Sequence, residues 1–163
     1  MECIDALVSG ILLPFRIQGF PNSDIWEAVG ALRFEVEDNQ WQEKLKLLAK
    51  HAKGILLMPA LSEGTLWEVG YLMNHPQLLK KAIFLMPPKP ESLRAKLKVK
   101  PSLLEEEWAL LLNAFRAEGS NFPAYNKNGM LFTLNSQGNV HQKASPNWSR
   151  PSEMGRAIIR LLD

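Results

Sequence analysis

The sequence predicts an α/β fold in which a mainly parallel central sheet is flanked by helices. Residues 54–58 and 82–86 are continuous apolar runs that each end at a proline, as strands buried on both faces do. Between them, Leu66, Val69, Leu72 and Met73 follow helical spacing and define one apolar face. A strand, a helix and a strand within about 35 residues match a right-handed βαβ unit.

The elements before this unit extend the same alternation toward the N-terminus. Residues 6–18 predict a short helix up to Leu13 and a strand over 15–18, because Pro14 disfavours one long central strand. Residues 33–37 alternate polar and apolar side chains, which indicates a half-buried strand. Residues 40–52 carry an amphipathic helical pattern that begins at Trp41. Residues 33–88 therefore predict the order β-α-β-α-β.

The C-terminal part predicts a helix, a hairpin and a last helix. Residues 102–105 form a capping box, and an apolar stripe continues to Gly119, a typical C-terminal glycine. Strands at 130–134 and 139–142 flank a short glycine-containing turn, and Pro151 begins the last helix, to 162. We expect one domain over residues 1–163, with a core at about 15–117 and an appended hairpin and helix at 119–163.

Composition narrows the class of protein. Of the 163 residues, 46% are hydrophobic and 22% charged, which is ordinary for a globular domain. A net charge of +2 argues against a nucleic-acid binder. Since no apolar run reaches the ~18 residues of a membrane helix, we expect no membrane partner. Acidic Glu2 and Asp5 stand where a signal peptide carries basic residues, and the single Cys3 allows no internal disulfide. We therefore expect a cytoplasmic location.

One loop, at residues 62–65, has the chemistry of a ligand site. The three histidines are scattered, which predicts no metal site, and no Walker or Gly-x-Gly-x-x-Gly motif occurs. Gly64 permits close approach of a ligand, while Ser62, Thr65 and the free N–H groups of the first helical turn suit a phosphate or a sugar hydroxyl. The alternative interpretation makes Ser62 the helix N-cap and Glu63 a first-turn acid that favours the helix dipole.

Glu68 is the candidate catalytic residue. It lies four residues after Gly64 and therefore on the same side of the helix, above the loop that leaves the strand. Ligands bind at this end of open α/β sheets. Shielding by Trp67 or Tyr71 would raise its pKa and prepare it as a nucleophile or an acid. A surface glutamate that stabilises the helix N-terminus is the alternative, and both interpretations stay open.

Residues 64–72, Gly-Thr-Leu-Trp-Glu-Val-Gly-Tyr-Leu, resemble the Gly-Thr-x-x-Glu-Leu-Gly-Tyr-Ala segment of nucleoside 2-deoxyribosyltransferases. Residues 55–72 are also similar to the strand, serine-containing loop, Trp and Glu of Toll/interleukin-1 receptor (TIR) domains. Residues 30–88 as a whole resemble bacterial TIR-like domains. Both families share the flavodoxin-like architecture. The resemblance covers roughly residues 30–88; the first strand and the acid before the nucleophile depart from the family patterns.

The resemblance implies a nucleotide-binding domain that cleaves an N-glycosidic bond, with Glu68 as the catalytic residue. NAD or a nucleoside would be the substrate, and no cofactor is implied. The remaining candidates divide into base-stacking aromatics, loop contacts and one phosphate partner. These are Trp41, Trp67 and Tyr71 for the base; Ser62, Glu63, Gly64 and Thr65 for the loop; and Arg33 for a phosphate. A TIR-like module that works without catalysis, by self-association or nucleotide sensing, is the alternative.

Overall fold

The structure is a computed structural model. It describes residues 40–89 and 102–163, and for residues 102–104 it describes the backbone alone. Nine helices and strands lie within these ranges. In chain order they are α1 (Trp41–His51), β1 (Ile55–Leu57), α2 (Glu63–Met73), α3 (Pro76–Leu79), β2 (Ala82–Met86), α4 (Ser102–Ala117), β3 (Met130–Leu134), β4 (Val140–Ala144) and α5 (Pro151–Leu162).

The four strands form one mixed sheet in the order β1-β2-β3-β4. Strand β1 pairs with β2 in parallel, with Leu56 opposite Ile83. Strand β2 pairs with β3 antiparallel, with Leu85 opposite Leu131, and β3 pairs antiparallel with β4. The C-terminal hairpin is thus part of the central sheet, and its first strand lies directly beside β2.

Alternation along β2 and β3 sends side chains to two hydrophobic cores, one on each face of the sheet. Phe84 and Phe132 point to the larger core, where α2 and α4 contribute Val69 and Phe115. Ile83 and Leu131 point to the smaller core, which α5 covers. Because helices cover both faces, β2 is apolar on both sides, and β3 is apolar except for Thr133, whose hydroxyl accepts a hydrogen bond from the backbone N–H of Gln142. This is the physical reason why these strands read as continuous apolar runs.

Two glycines with positive φ allow the chain to change direction near the hairpin. Gly119 follows the end of α4 at φ 82°, and its N–H donates to the carbonyl of Arg116. Gly138 closes the hairpin turn at φ 76°. A Cβ at Gly138 would lie 2.2 Å from the carbonyl oxygen of Gly119, so this position also requires glycine for space.

The predicted α/β class is confirmed, and the hairpin and the helices predicted from residue 40 onward lie within a few residues of their expected bounds. The short helix predicted up to Leu13 lies outside the described residues. The short helix α3 was not predicted. A mainly parallel sheet is not confirmed: among the three strand pairings in the described ranges, one is parallel. Several predictions lie outside the described residues: the strands at 15–18 and 33–37, Arg33, and the side chain of Ser102 in the capping box. No described helix has both the length and the apolar character needed to cross a membrane.

Candidate functional site

Helix α2 begins directly after the loop that leaves β1, and Ser62 is its N-cap. The Ser62 hydroxyl accepts a hydrogen bond from the backbone N–H of Thr65 at 3.2 Å and donates one to the Thr65 hydroxyl at 2.9 Å. Glu63 occupies the first turn and is exposed. The interpretation of Ser62 as the helix N-cap is therefore confirmed. The Thr65 hydroxyl keeps its own hydrogen as a donor.

Trp41, the first residue of α1, packs over the start of α2. Its ring lies 3.9 Å from the place where a Cβ on Gly64 would stand. Its centroid is 5.0 Å from that of Trp67, with the two rings nearly perpendicular at 76°. A side chain at position 64 would contact the ring, so the glycine leaves space between Trp41 and the helix backbone. This contact brings one predicted aromatic residue to the predicted loop.

Glu68 lies on the same face of α2 as Gly64, because the two residues are one helical turn apart. It is half-buried, and burial raises the pKa of its carboxyl from 4.5 to about 7. Desolvation is the cause, since taking a carboxylate out of water disfavours the charged form. The direction of this shift is the one expected from the sequence. At neutral pH, protonated and ionised forms of Glu68 are both populated.

A second feature is a row of rings along the neighbouring face of α2, here called the aromatic ladder: Trp67, Tyr71 and His75. Trp67 and Tyr71 are stacked, with centroids 5.2 Å apart and planes at 4°. Tyr71 and His75 follow at 4.1 Å and 38°. The ring nitrogen Nδ1 of His75 lies 2.7 Å from the backbone oxygen of Tyr71. Since a carbonyl only accepts, Nδ1 donates and Nε2 is the acceptor in the neutral ring.

The aromatic ladder forms one wall of an open groove of about 400 Å³, here called the aromatic groove. Glu118, just past the end of α4, forms the facing wall. Its carboxylate oxygen lies 3.2 Å from the place where a Cβ on Gly70 would stand. The lining residues are Leu66, Trp67, Gly70, Tyr71, Asn74, His75 and Glu118.

The nine predicted site residues therefore divide between two places. Around the start of α2 lie Trp41, Ser62, Glu63, Gly64, Thr65 and Glu68, here called the Glu68 site. Trp67 and Tyr71 line the aromatic groove, and Arg33 lies outside the described residues. The residues at 60–68 were expected to line the main cleft, but only Leu66 and Trp67 of that segment line the aromatic groove.

Sequence reasoning missed the rest of the aromatic groove. His75 could have been found, because Trp67, Tyr71 and His75 follow one another at intervals of four, the spacing of neighbours along one side of a helix. In the structure α2 ends at Met73, and His75 lies just beyond it as the N-cap of α3. Glu118 could not have been found, since it reaches α2 from a helix more than forty residues further along the chain. The described residues also contain no group of three or more His, Cys, Asp or Glu placed to hold a metal ion.

Comparison of the chain with protein-family models, curated proteins and solved structures finds no match.

Proposed function

We propose that this domain binds a nucleoside or a nucleotide such as NAD and cleaves its N-glycosidic bond through Glu68. The observation that carries the proposal is the convergence of Trp41, Gly64 and Glu68 on one face of α2, at the helix start that follows β1. This arrangement offers a flat ring, an open backbone surface and a carboxylate within about one helical turn. The βαβ unit from β1 to β2 supports the flavodoxin-like, TIR-like interpretation of the fold.

The proposed reaction uses the ionised form of Glu68. The carboxylate attacks the anomeric carbon of the sugar, and the bond from that carbon to the base nitrogen breaks with its electron pair leaving on the base. The transition state has oxocarbenium character, which the negative charge stabilises. Water then attacks the glycosyl ester, releases the free sugar and regenerates the carboxylate. The departing base nitrogen takes a proton where its electron pair requires one.

The environment of Glu68 supports this role. A half-buried carboxylate with a pKa of about 7 retains its proton more readily than an exposed one and is more nucleophilic once ionised. The base would pack against Trp41 and Trp67, which together offer an edge and a face. Thr65 and the free N–H groups at the start of α2 would contact ribose or phosphate.

A non-enzymatic nucleotide sensor or self-associating module is the second candidate, and one observation favours it. The aromatic groove, an open groove of about 400 Å³, is not lined by Glu68, so a ligand can occupy it without approaching the Glu68 carboxylate. In addition, Ser62 and Thr65 already satisfy one another as a helix cap. Under this candidate the domain binds its ligand or a second copy of itself and releases no product.

The test is incubation of the full chain with NAD and with a panel of nucleosides, with products separated by chromatography. We expect release of free base, with a rate that rises with pH up to about 7 as Glu68 ionises. Glu68→Gln should remove the activity. Glu107→Gln is the matched control, since Glu107 is an exposed glutamate on α4. A wild-type protein inert toward every substrate while still binding one favours the sensor.

A further inference from the structure

We propose that the aromatic groove is a binding site for an organic ammonium group, and that this binding does not require the reaction at Glu68, although Trp67 borders both places. The groove combines a wall of stacked rings with a facing carboxylate, and its volume of about 400 Å³ lies in the range of small-molecule sites. Aromatic rings beside a carboxylate recognise quaternary and protonated amines, because ring faces and carboxylates both attract positive charge. The proposal does not rest on cleavage of any bond.

The aromatic ladder contributes the first part of this recognition. Trp67 and Tyr71 are offset in their stack, with parallel planes and centroids 5.2 Å apart, so the two rings overlap only in part. A cation already lies near this row: the ammonium of Lys46 is 5.8 Å from the centroid of Trp67. That ammonium is paired with Glu43 at 2.6 Å, which offsets its charge. The ladder thus accommodates positive charge at one end.

Glu118 contributes the second part. Its side chain lies against Gly70, and the missing side chain at position 70 lets the carboxylate approach the α2 backbone. Glu118 is exposed and makes no ion pair with another described residue, so its charge is available to a ligand in the groove. The carboxylate accepts hydrogen bonds and donates none.

The other polar groups of the groove favour the same class of ligand. Because His75 donates from Nδ1 to the carbonyl of Tyr71, its Nε2 is left as an acceptor. Asn74 donates one amide hydrogen to the carbonyl of Gly70 at 2.9 Å. None of the described residues that line the groove is a lysine or an arginine. A phosphate would therefore meet a carboxylate with no basic side chain to offset it, whereas an ammonium meets an unpaired negative charge.

The experiment compares choline with 3,3-dimethyl-1-butanol, which has the same shape with a neutral carbon in place of the charged nitrogen. Each is titrated into the full chain, with binding followed by calorimetry and by tryptophan fluorescence, and no turnover is needed. We expect choline to bind about thirtyfold more tightly, since a cation–π contact and a carboxylate each contribute about fivefold, or about 1 kcal/mol. Added salt should weaken the binding of choline and leave the affinity for the alcohol unchanged.

Variants locate the site. Glu118→Gln should reduce the preference for choline to near that of the rings alone, while Glu107→Gln, an exposed carboxylate outside the groove, should leave it unchanged. Tyr71→Leu should also weaken the binding of choline, whatever the size of the Glu118→Gln effect. Melting curves establish that each variant is folded. Equal affinity for choline and the alcohol, no binding of either, or a preference that survives both groove variants would overturn the proposal. Loss of glycosidase activity alone would not affect it.

Discussion

Helix α2 presents two faces, each of which carries one of the sites we propose, and they differ in their access to water. On one face Glu68 is half-buried, and desolvation raises its pKa to about 7. On the other, the aromatic groove is open, and Glu118 approaches Gly70 as an exposed side chain. The two carboxylates are chemically similar, yet burial raises the pKa of the first, while the second is exposed to solvent.

A reactive group and a recognition group, the roles that we propose for Glu68 and Glu118, need opposite environments. A carboxylate that must attack carbon gains from a dry setting, where its charge is poorly solvated. A carboxylate that must attract a cation from water gains from being ionised and accessible. The buried residues Val69 and Leu72 hold α2 on the sheet, so both faces are positioned by the same apolar contact.

The largest expected effect is on the turnover of an N-glycoside, which should depend on Glu68 and not on Glu118. Glu68→Gln should lower turnover of an N-glycoside on the order of a hundredfold or more, since a lost electrostatic contact costs about 3 kcal/mol and a lost nucleophile costs more. Glu118→Gln should leave that turnover unchanged. Initial rates with saturating substrate measure both. An undiminished turnover rate in the Glu68→Gln protein would show that Glu68 is not the catalytic group that the resemblance at residues 64–72 implies.

The second effect concerns stability and pH. Between pH 4.5 and 7 the folded protein keeps the Glu68 proton while the unfolded chain loses it, so stability should fall as pH rises. The loss is at most about 3.5 kcal/mol, because each pKa unit corresponds to about 1.4 kcal/mol and the pKa rises from 4.5 to about 7. Glu68→Gln should remove this pH dependence and should melt higher than wild type above pH 7.

Melting temperatures at pH 5 and pH 8, on wild type and on the Glu68→Gln and Glu107→Gln variants, measure this effect. For a chain of this size, 1 kcal/mol corresponds to about 2–4 °C. The Glu107→Gln protein is the control for general charge effects. A wild-type curve with the same pH response as the Glu68→Gln curve would contradict the burial of this carboxyl.

A smaller effect tests which role Ser62 has. Ser62→Ala removes the cap to the N–H of Thr65 and should cost about 1 kcal/mol of stability. Ser62→Asn, which can cap, should restore most of it, and Ser136→Ala in the exposed hairpin turn is the control. If Ser62 also contacts substrate, Ser62→Asn will recover stability but retain a raised KM. Melting curves and steady-state kinetics on the same preparations separate the two roles.

The smallest effect sharpens the geometry of the groove. Gly70→Ala should gain up to about 1 kcal/mol of helix propensity, reduced by the displacement of Glu118, which would lie 3.2 Å from the new Cβ. Gly155→Ala in α5 has nothing within 4 Å of the new Cβ and should gain the propensity in full. Gly70→Ala should also weaken choline. An equal gain in stability for both variants would indicate that Glu118 moves away freely.

Local patterns in the sequence were sufficient for α2, α4, α5 and the hairpin. Helical spacing, the glycine at 119 and the turn at 135–138 each depend on residues within a few positions of one another, and such interactions are readable along the chain. The same holds for the βαβ unit, because β1 and β2 are parallel with α2 between them. The position of Glu68 near the start of its helix followed from these bounds alone.

Contacts between distant parts of the chain decided the rest. The apolar pattern of β2 indicates burial on both faces but does not specify its neighbour, and the antiparallel β3 beside it makes the sheet mixed. The ring of Trp41 over Gly64 and the carboxylate of Glu118 beside Gly70 both join segments that no periodicity connects. The burial of Glu68 likewise depends on all the atoms that surround its carboxyl, including those from distant parts of the chain. The sequence alone determined which residues lie along α2; tertiary packing determined which of its faces is dry and which is open, because water access depends on what the rest of the chain brings to each face.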